Sequence, residues 1–228
     1  MSEQDFDDLR SDGAFTGPLD QETFRALLFN SFLHQQERLR ASRGEGQRLA
    51  AVAEARCAVA ESGDLRTALN LVAGRAVEIT GSSGAAIAIA VHGQMTCWAI
   101  SGPIAPPLGA PLPLDSGLSG ECLRSRHTLR CDDAGSDPRV NREACVRLGG
   151  VGSMLLVPLC RGNSVVGILE VFSTKPRSFD DSDQHVLELL ALIASAAVVD
   201  FTASEAAARV SRTVGASART VASQFSPV

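Results

Sequence analysis

Residues 150–173 read GVGSMLLVPLCRGNSVVGILEVFS, and their pattern decides the fold. Two apolar runs, Met154–Cys160 and Val165–Phe172, flank the short glycine-containing link RGNS, which is the signature of a β-hairpin. Pro158 cannot donate a ladder hydrogen bond, so it belongs at a strand end or on an edge. Gly167 inside a strand implies a bulge or a close backbone approach. Along the second run Ile168, Glu170 and Phe172 alternate onto one side of the sheet. A carboxylate there must be paired, hydrated or pointed into a cavity, because an unpaired buried charge is costly.

Working outward, SSGAAIAIAV (82–91) and MTCWAI (95–100) form an earlier strand pair joined by a turn at HGQ. The proline-rich SGPIAPPLGAPLPLDSG (101–117) implies a stiff, extended loop. LSGECLRSR (118–126) reads as a short helix and HTLRC (127–131) as a short strand. Helical periodicity brackets this region. Upstream, PLDQETFRALLFNSFLHQQERLR (18–40) places Phe24, Leu27, Leu28, Phe32 and Leu39 on one stripe, with Asp20 as its cap. SRGEG (42–46) should break that helix, and further helices are expected over 47–61 and 64–79, the latter capped by Asp64. Downstream, Asp180 and Asp183 form an acidic capping box for a long final helix. Its apolar face is Val186, Leu190, Ile193 and Ala197, widened by Leu187, Ala194 and Phe201.

Strand pairs adjacent in sequence imply an antiparallel sheet, so the fold class is α+β: a central antiparallel sheet flanked by helices, with an N-terminal helical arm and a long C-terminal helix. The expected division is a disordered 1–17, a helical arm over 18–62, a domain over 63–202 and a helical connector over 203–228.

Composition narrows the function. The formal net charge of −5 argues against nucleic-acid binding, which needs a concentrated basic face. Tyrosine is absent and Trp98 is the single tryptophan, so stacking platforms for single strands are scarce. The acidic start, MSEQDFDDLRSDG, resembles neither a secretory signal nor a mitochondrial leader. No apolar run is read as a membrane span, the best, 186–199, being interrupted by Glu188 and Ser195. A soluble, cytoplasmic protein with reduced cysteines is expected. The histidines lie far from each other and from any cysteine pair, so no metal site is expected.

The order of these words resembles the GAF family of sensory domains, a GAF/PAS-like architecture, over about 65–201. LDSGLSGECLRSRHTLRCDD (114–133) resembles its glycine, helix, strand, aspartate passage. Residues 150–173 resemble its Val-Pro hairpin, and KPRSFDDSDQHVLELLALIASAAV (175–198) its closing helix. The resemblance implies a small-molecule pocket on one sheet face, beneath the 102–117 and 130–150 loops. It places Cys131, Asp132, Asp133, Arg139, Arg142 and Cys145 near that pocket, with Ser153 and Glu170 contributed by the hairpin. Each loop residue has a plainer reading: Asp133 and Asp137 cap turns, Pro138 stiffens the loop, and Arg142, Glu143 and Arg147 open an exposed helix.

Within the family, the free methionine-(R)-sulfoxide reductases use pocket cysteines. Their positions fall here on Ser119, near Arg147 and near Gly109, so only displaced thiols such as Cys122 or Cys145 remain. Cys145, between Arg142 and Arg147, is the one candidate redox thiol. The Cys-His pair of bilin-binding members and the loop histidine of haem-binding members are missing. Of the cyclic-nucleotide signature, Lys175, Phe179 and Asp183 are kept; an alternative is that Lys175 pairs with Asp183 while Phe179 plugs the helix onto the sheet. The expectation is therefore a non-enzymatic sensor with an unidentified ligand and no assigned cofactor. It should form a homodimer through its flanking helices and pass a signal to a downstream effector. The alternatives are a reductase and a dimerisation module without ligand.

Overall fold

The hairpin reading holds: β4 (Ser153–Arg161) and β5 (Ser164–Ser173) pair antiparallel across a turn at Gly162. The computed structural model describes residues 21–91, 94–114 and 116–224. In chain order these give α1 (Gln21–Glu61), α2 (Leu65–Thr80), β1 (Gly84–Val91), β2 (Gln94–Ser101), α3 (Gly117–Ser125), β3 (Leu129–Cys131), α4 (Arg142–Arg147), β4, β5 and α5 (Asp181–Gln224). The five strands form one sheet in the order β2-β1-β5-β4-β3, and every neighbouring pair is antiparallel. The expected disorder of 1–17, the Asp20 cap and the His92–Gly93 turn lie outside the described residues.

The chain divides into two compact units, 1–46 and 47–228. The described part of the first is helical, and its Phe29, Phe32 and Leu33 are exposed. In the second, the sheet carries α2 and α5 on one face. Helix α2 starts at Asp64, whose carboxylate accepts from the Thr67 amide at 2.9 Å, and stops at Gly81 in the left-handed region. Ile87, Ile89, Leu155, Leu159, Leu169 and Val171 pack there against Leu69, Val72, Leu187 and Leu190. Alternate residues of the same strands supply the opposite face, with Ala86, Ala88, Met154, Leu156, Ile168 and Phe172 buried beneath α3, α4 and their loops.

Two backbone details were legible. A Cβ on Gly167 would run into the Ala88 carbonyl oxygen, so the β5 backbone approaches β1 as expected. The β4–β5 register also shifts between Leu159 and Cys160, beside that glycine. The proline-rich loop is extended and lies along the outer edge of β2. The Gly109 amide donates to the Cys97 carbonyl (2.7 Å), and the Cys97 and Leu112 amides donate to Ala110 and Met95 (both 2.9 Å). It thereby covers an edge that would otherwise offer unpaired groups.

Three expectations are corrected. SRGEG does not end a helix, because α1 continues through 42–46; glycine costs about 1 kcal/mol inside a helix but, unlike proline, removes no hydrogen bond. Asp183 does not pair with Lys175: Arg48 reaches it instead, at 2.8 Å. The 181–204 stretch is long and apolar enough to cross a membrane, with mean hydropathy 2.0, although one side of it is core of the sheet.

Candidate functional site

On the loop face of the sheet Glu170 is the one buried charge-bearing group among the described residues, 5 % exposed between Ile168 and Phe172. Ser119, in the first turn of α3, donates its hydroxyl to Glu170 Oε1 at 2.5 Å. No described residue donates to Oε2. Burial pushes the Glu170 carboxyl up to about 7, against a smaller downward pull from Ser119. Gly120 lets the preceding loop close onto α3, since a Cβ there would meet the Leu114 carbonyl oxygen at 2.7 Å.

Two thiols share this neighbourhood. Burial raises Cys97 to about 11 and Cys122 to about 12, and the Glu170 charge adds to both. Cys122 is oriented by donating to the His127 carbonyl at 3.3 Å. Beneath the loops Leu118, Cys122, Cys131, Cys145 and Met154 belong to one buried apolar cluster. A groove of about 620 Å³ opens elsewhere, between the end of α1, the start of α2 and the middle of α5. That groove is on the helix side, away from Glu170.

The residues singled out from the sequence separate into groups. Cys131 and Cys145 do join the loop-face core, beneath the segment that carries them. Burial is the first cause that raises the Cys131 thiol to about 11. It also raises Cys145, whose flanking Arg142 and Arg147 do not activate it. Asp132, Asp133 and Arg139 instead stay exposed. The Asp132 carbonyl accepts from the Arg177 amide at 2.7 Å. Asp133 caps a turn by accepting from the Gly135 amide at 2.9 Å, which lowers its pKa. Arg139 pairs with Asp137 at 2.6 Å and Glu121 at 3.3 Å, tying the loop to α3. The Arg139 side chain holds the Asp137 carboxyl at about 2.

Ser153 is misplaced by the sequence reading. It is buried, but it donates to the Lys175 carbonyl (2.7 Å) and accepts from the Ser178 amide (3.3 Å), so it fastens the β5–α5 connection. Alternation explains this, because Met154 and Leu156 take the loop face and leave Ser153 on the other. Ser119 and Cys122 entered that reading only through the comparison with the reductases, and Cys97 not at all. Ser119 had a signal, a hydroxyl two residues after the glycine that opens α3. Cys97 had none, since only strand pairing brings β2 beside β5 through β1.

The family model described as GAF domain matches residues 62–199. The chain belongs to the GAF domain family. GAF domains are typically sensory or regulatory modules. Solved GAF structures are similar to it at low identity. One is the GAF domain of a phosphoenolpyruvate-protein phosphotransferase from Coxiella burnetii, with a TM-score of 0.65 and 22% identity over 71% of this chain and 98% of that one. Another is free methionine-R-sulfoxide reductase from Neisseria meningitidis in complex with its substrate, with a TM-score of 0.61 and 22% identity over 72% and 93%. A third is the chromophore-binding domain of a bacteriophytochrome from R. palustris, with a TM-score of 0.57 and 16% identity over 70% and 63%. These likenesses show the GAF fold alone. No curated protein matches the chain.

Proposed function

We propose that this GAF domain is a cytoplasmic sensor that binds a small molecule on the loop face and relays the event through its flanking helices in a homodimer to a downstream effector. One observation carries this reading: a buried carboxyl on an apolar sheet face that receives a single donor. Its Oε2 accepts from no described residue, and a ligand hydrogen-bond donor facing that oxygen would complete the pairing of the carboxyl. Entry is by movement of α3 and the 130–150 loop, whose side chains pack over this face. The Arg139 bridge and the Ser119 contact are the ties to be broken.

Binding is favoured over catalysis by the thiols. Cys97, Cys122, Cys131 and Cys145 are all pushed away from the thiolate form that sulfur chemistry needs. Thermal-shift and hydrogen-exchange screening against amino acids, other metabolites and cyclic nucleotides tests the reading. A ligand that protects 117–148 in the wild type and fails with Glu170→Gln supports it. If compounds bind with equal affinity to both proteins, or none binds, a dimerisation module without ligand takes its place.

A further inference from the structure

Two thiols from distant parts of the chain converge where α3 ends. Cys122 is fully buried in the loop-face cluster. Its thiol donates to the His127 carbonyl at 3.3 Å, and its own carbonyl accepts from the Arg126 amide at 2.9 Å. Arg126 ends the helix in the left-handed region, with φ of 60°. From there its Nη1 donates to the Asn163 carbonyl in the β4–β5 turn at 2.9 Å. The end of α3 is thereby pinned beside the last residues of β4.

Cys160 is one of those residues. It stands opposite Val165 in the β4–β5 ladder, and cross-strand partners share a face of the sheet. Val165 packs against the loop-face cluster, whereas Leu159 belongs to the core on the helix side. Cys160 therefore points to the face that α3 covers. The two thiols lie near enough to interact: after burial and Glu170, Cys160 is the next group to oppose ionisation of Cys122. They differ in access, since Cys160 is partly exposed and Cys122 is shut in. Cys97 shares the loop face, but it too is buried, and it donates to the Ala99 carbonyl at 3.7 Å. An accessible thiol beside a shielded one is the arrangement of an attacking and a resolving cysteine.

We propose that Cys160 and Cys122 form an oxidisable pair, which a peroxide closes into a disulfide between β4 and α3. The Cys160 thiolate, its proton lost to water, attacks one peroxide oxygen. The O–O bond breaks, the leaving hydroxide takes a proton and departs as water, and Cys160 becomes a sulfenic acid. Cys122 turns from the His127 carbonyl and its sulfur attacks that of Cys160. The S–O bond breaks, and the departing hydroxide takes the proton that Cys122 gives up. Two thiols are oxidised by two electrons, and one peroxide is reduced to two waters. The bridge fastens α3, which also carries Ser119 to Glu170, onto the sheet.

Peroxide treatment of the full chain carrying Cys57→Ser, which removes an exposed competing thiol, tests the pair. The product is mapped by mass spectrometry without reduction. A single-chain species lighter by two hydrogens is expected, with one bridge joining residues 122 and 160 and full reversal by dithiothreitol. Amide exchange across 118–125 should slow by about tenfold in the bridged protein. Cys160→Ser, at a partly exposed position, is expected to keep the fold and abolish the bridge. Cys122→Ala should let Cys160 advance to the sulfinic acid. Three results would overturn the proposal: sulfinic acid at Cys160 while Cys122 is intact, a bridge from Cys122 to Cys97, or a bridge that persists in Cys160→Ser. The bridge is read by mass alone, so its presence does not depend on whether any ligand engages Glu170.

Discussion

Arg48 Nη1 lies 2.8 Å from Asp183 Oδ1 and 2.7 Å from Ser182 Oγ, so α1 is fastened to the first turn of α5. Asp183 has a second duty. Its Oδ2 accepts from the Asp180 amide at 3.1 Å, while Asp180 Oδ1 accepts from the Ser182 and Asp183 amides, closing a reciprocal cap. One buried carboxylate therefore holds both the start of the last helix and the incoming one. Arg48→Ala removes the charge partner and leaves Asp183 dependent on the cap alone. The expected loss is about 1–3 kcal/mol in chemical denaturation, with Arg48→Lys intermediate. Faster amide exchange should centre on 180–184; an unchanged exchange pattern there would contradict the fastening role.

Glu170 should make stability depend on pH near neutrality. Its carboxyl lies at about 7 when folded against an ordinary 4.5, so the folded chain holds the proton more tightly than the unfolded one. That contribution is complete below the unfolded value and is lost as pH rises through the folded one. From pH 5 to pH 8 the loss approaches about 3 kcal/mol. Glu170→Gln should flatten this part of the profile and be the more stable protein at pH 8. Melting temperatures across that range measure both effects, and a profile unaltered by the substitution would refute them.

Ser119→Ala acts on the same group in the opposite direction. Without the hydroxyl the Glu170 carboxyl rises further, since Ser119 is what pulls it down. The variant should lose more stability at pH 8 than at pH 5.5, by about 1–2 kcal/mol. Equal losses at both values would mean that the hydroxyl does not stabilise the charged form.

Thiol labelling should follow burial. Cys57 is exposed, whereas Cys97, Cys122, Cys131 and Cys145 are buried and their thiols are raised. In the native protein at pH 8, an aromatic disulfide reagent should modify Cys57 first and the other four only after opening. Rapid modification of Cys122 or Cys145 would favour the reductase reading instead.

Gly167→Ala tests the closeness of β5 to β1. The added methyl meets the Ala88 carbonyl oxygen, which belongs to the sheet and cannot rotate away. A loss of about 1–3 kcal/mol is expected, with sheet amides of 86–89 exchanging faster. A neutral outcome would show that the two backbones can separate.

The sequence by itself determined the sheet, because its signals are local. Alternation in 150–173, the glycine turn and the Asp64 and Asp180 caps are short-range patterns, and so the hairpins, the fold class and the side on which Glu170 lies were legible. The capping roles of Asp133 and Asp137 were legible for the same reason. Only the tertiary structure decided which groups meet. Glu170 and Ser119 are 51 residues apart, and Arg48 and Asp183 are 135 apart, so no local pattern pairs them. Chain entropy disfavours such long closures until burial on both faces of the sheet compensates, and burial is a property of the packed whole. For the same reason α5 read as one apolar stripe, whereas packing divided it into a side covered by the sheet and a side left open.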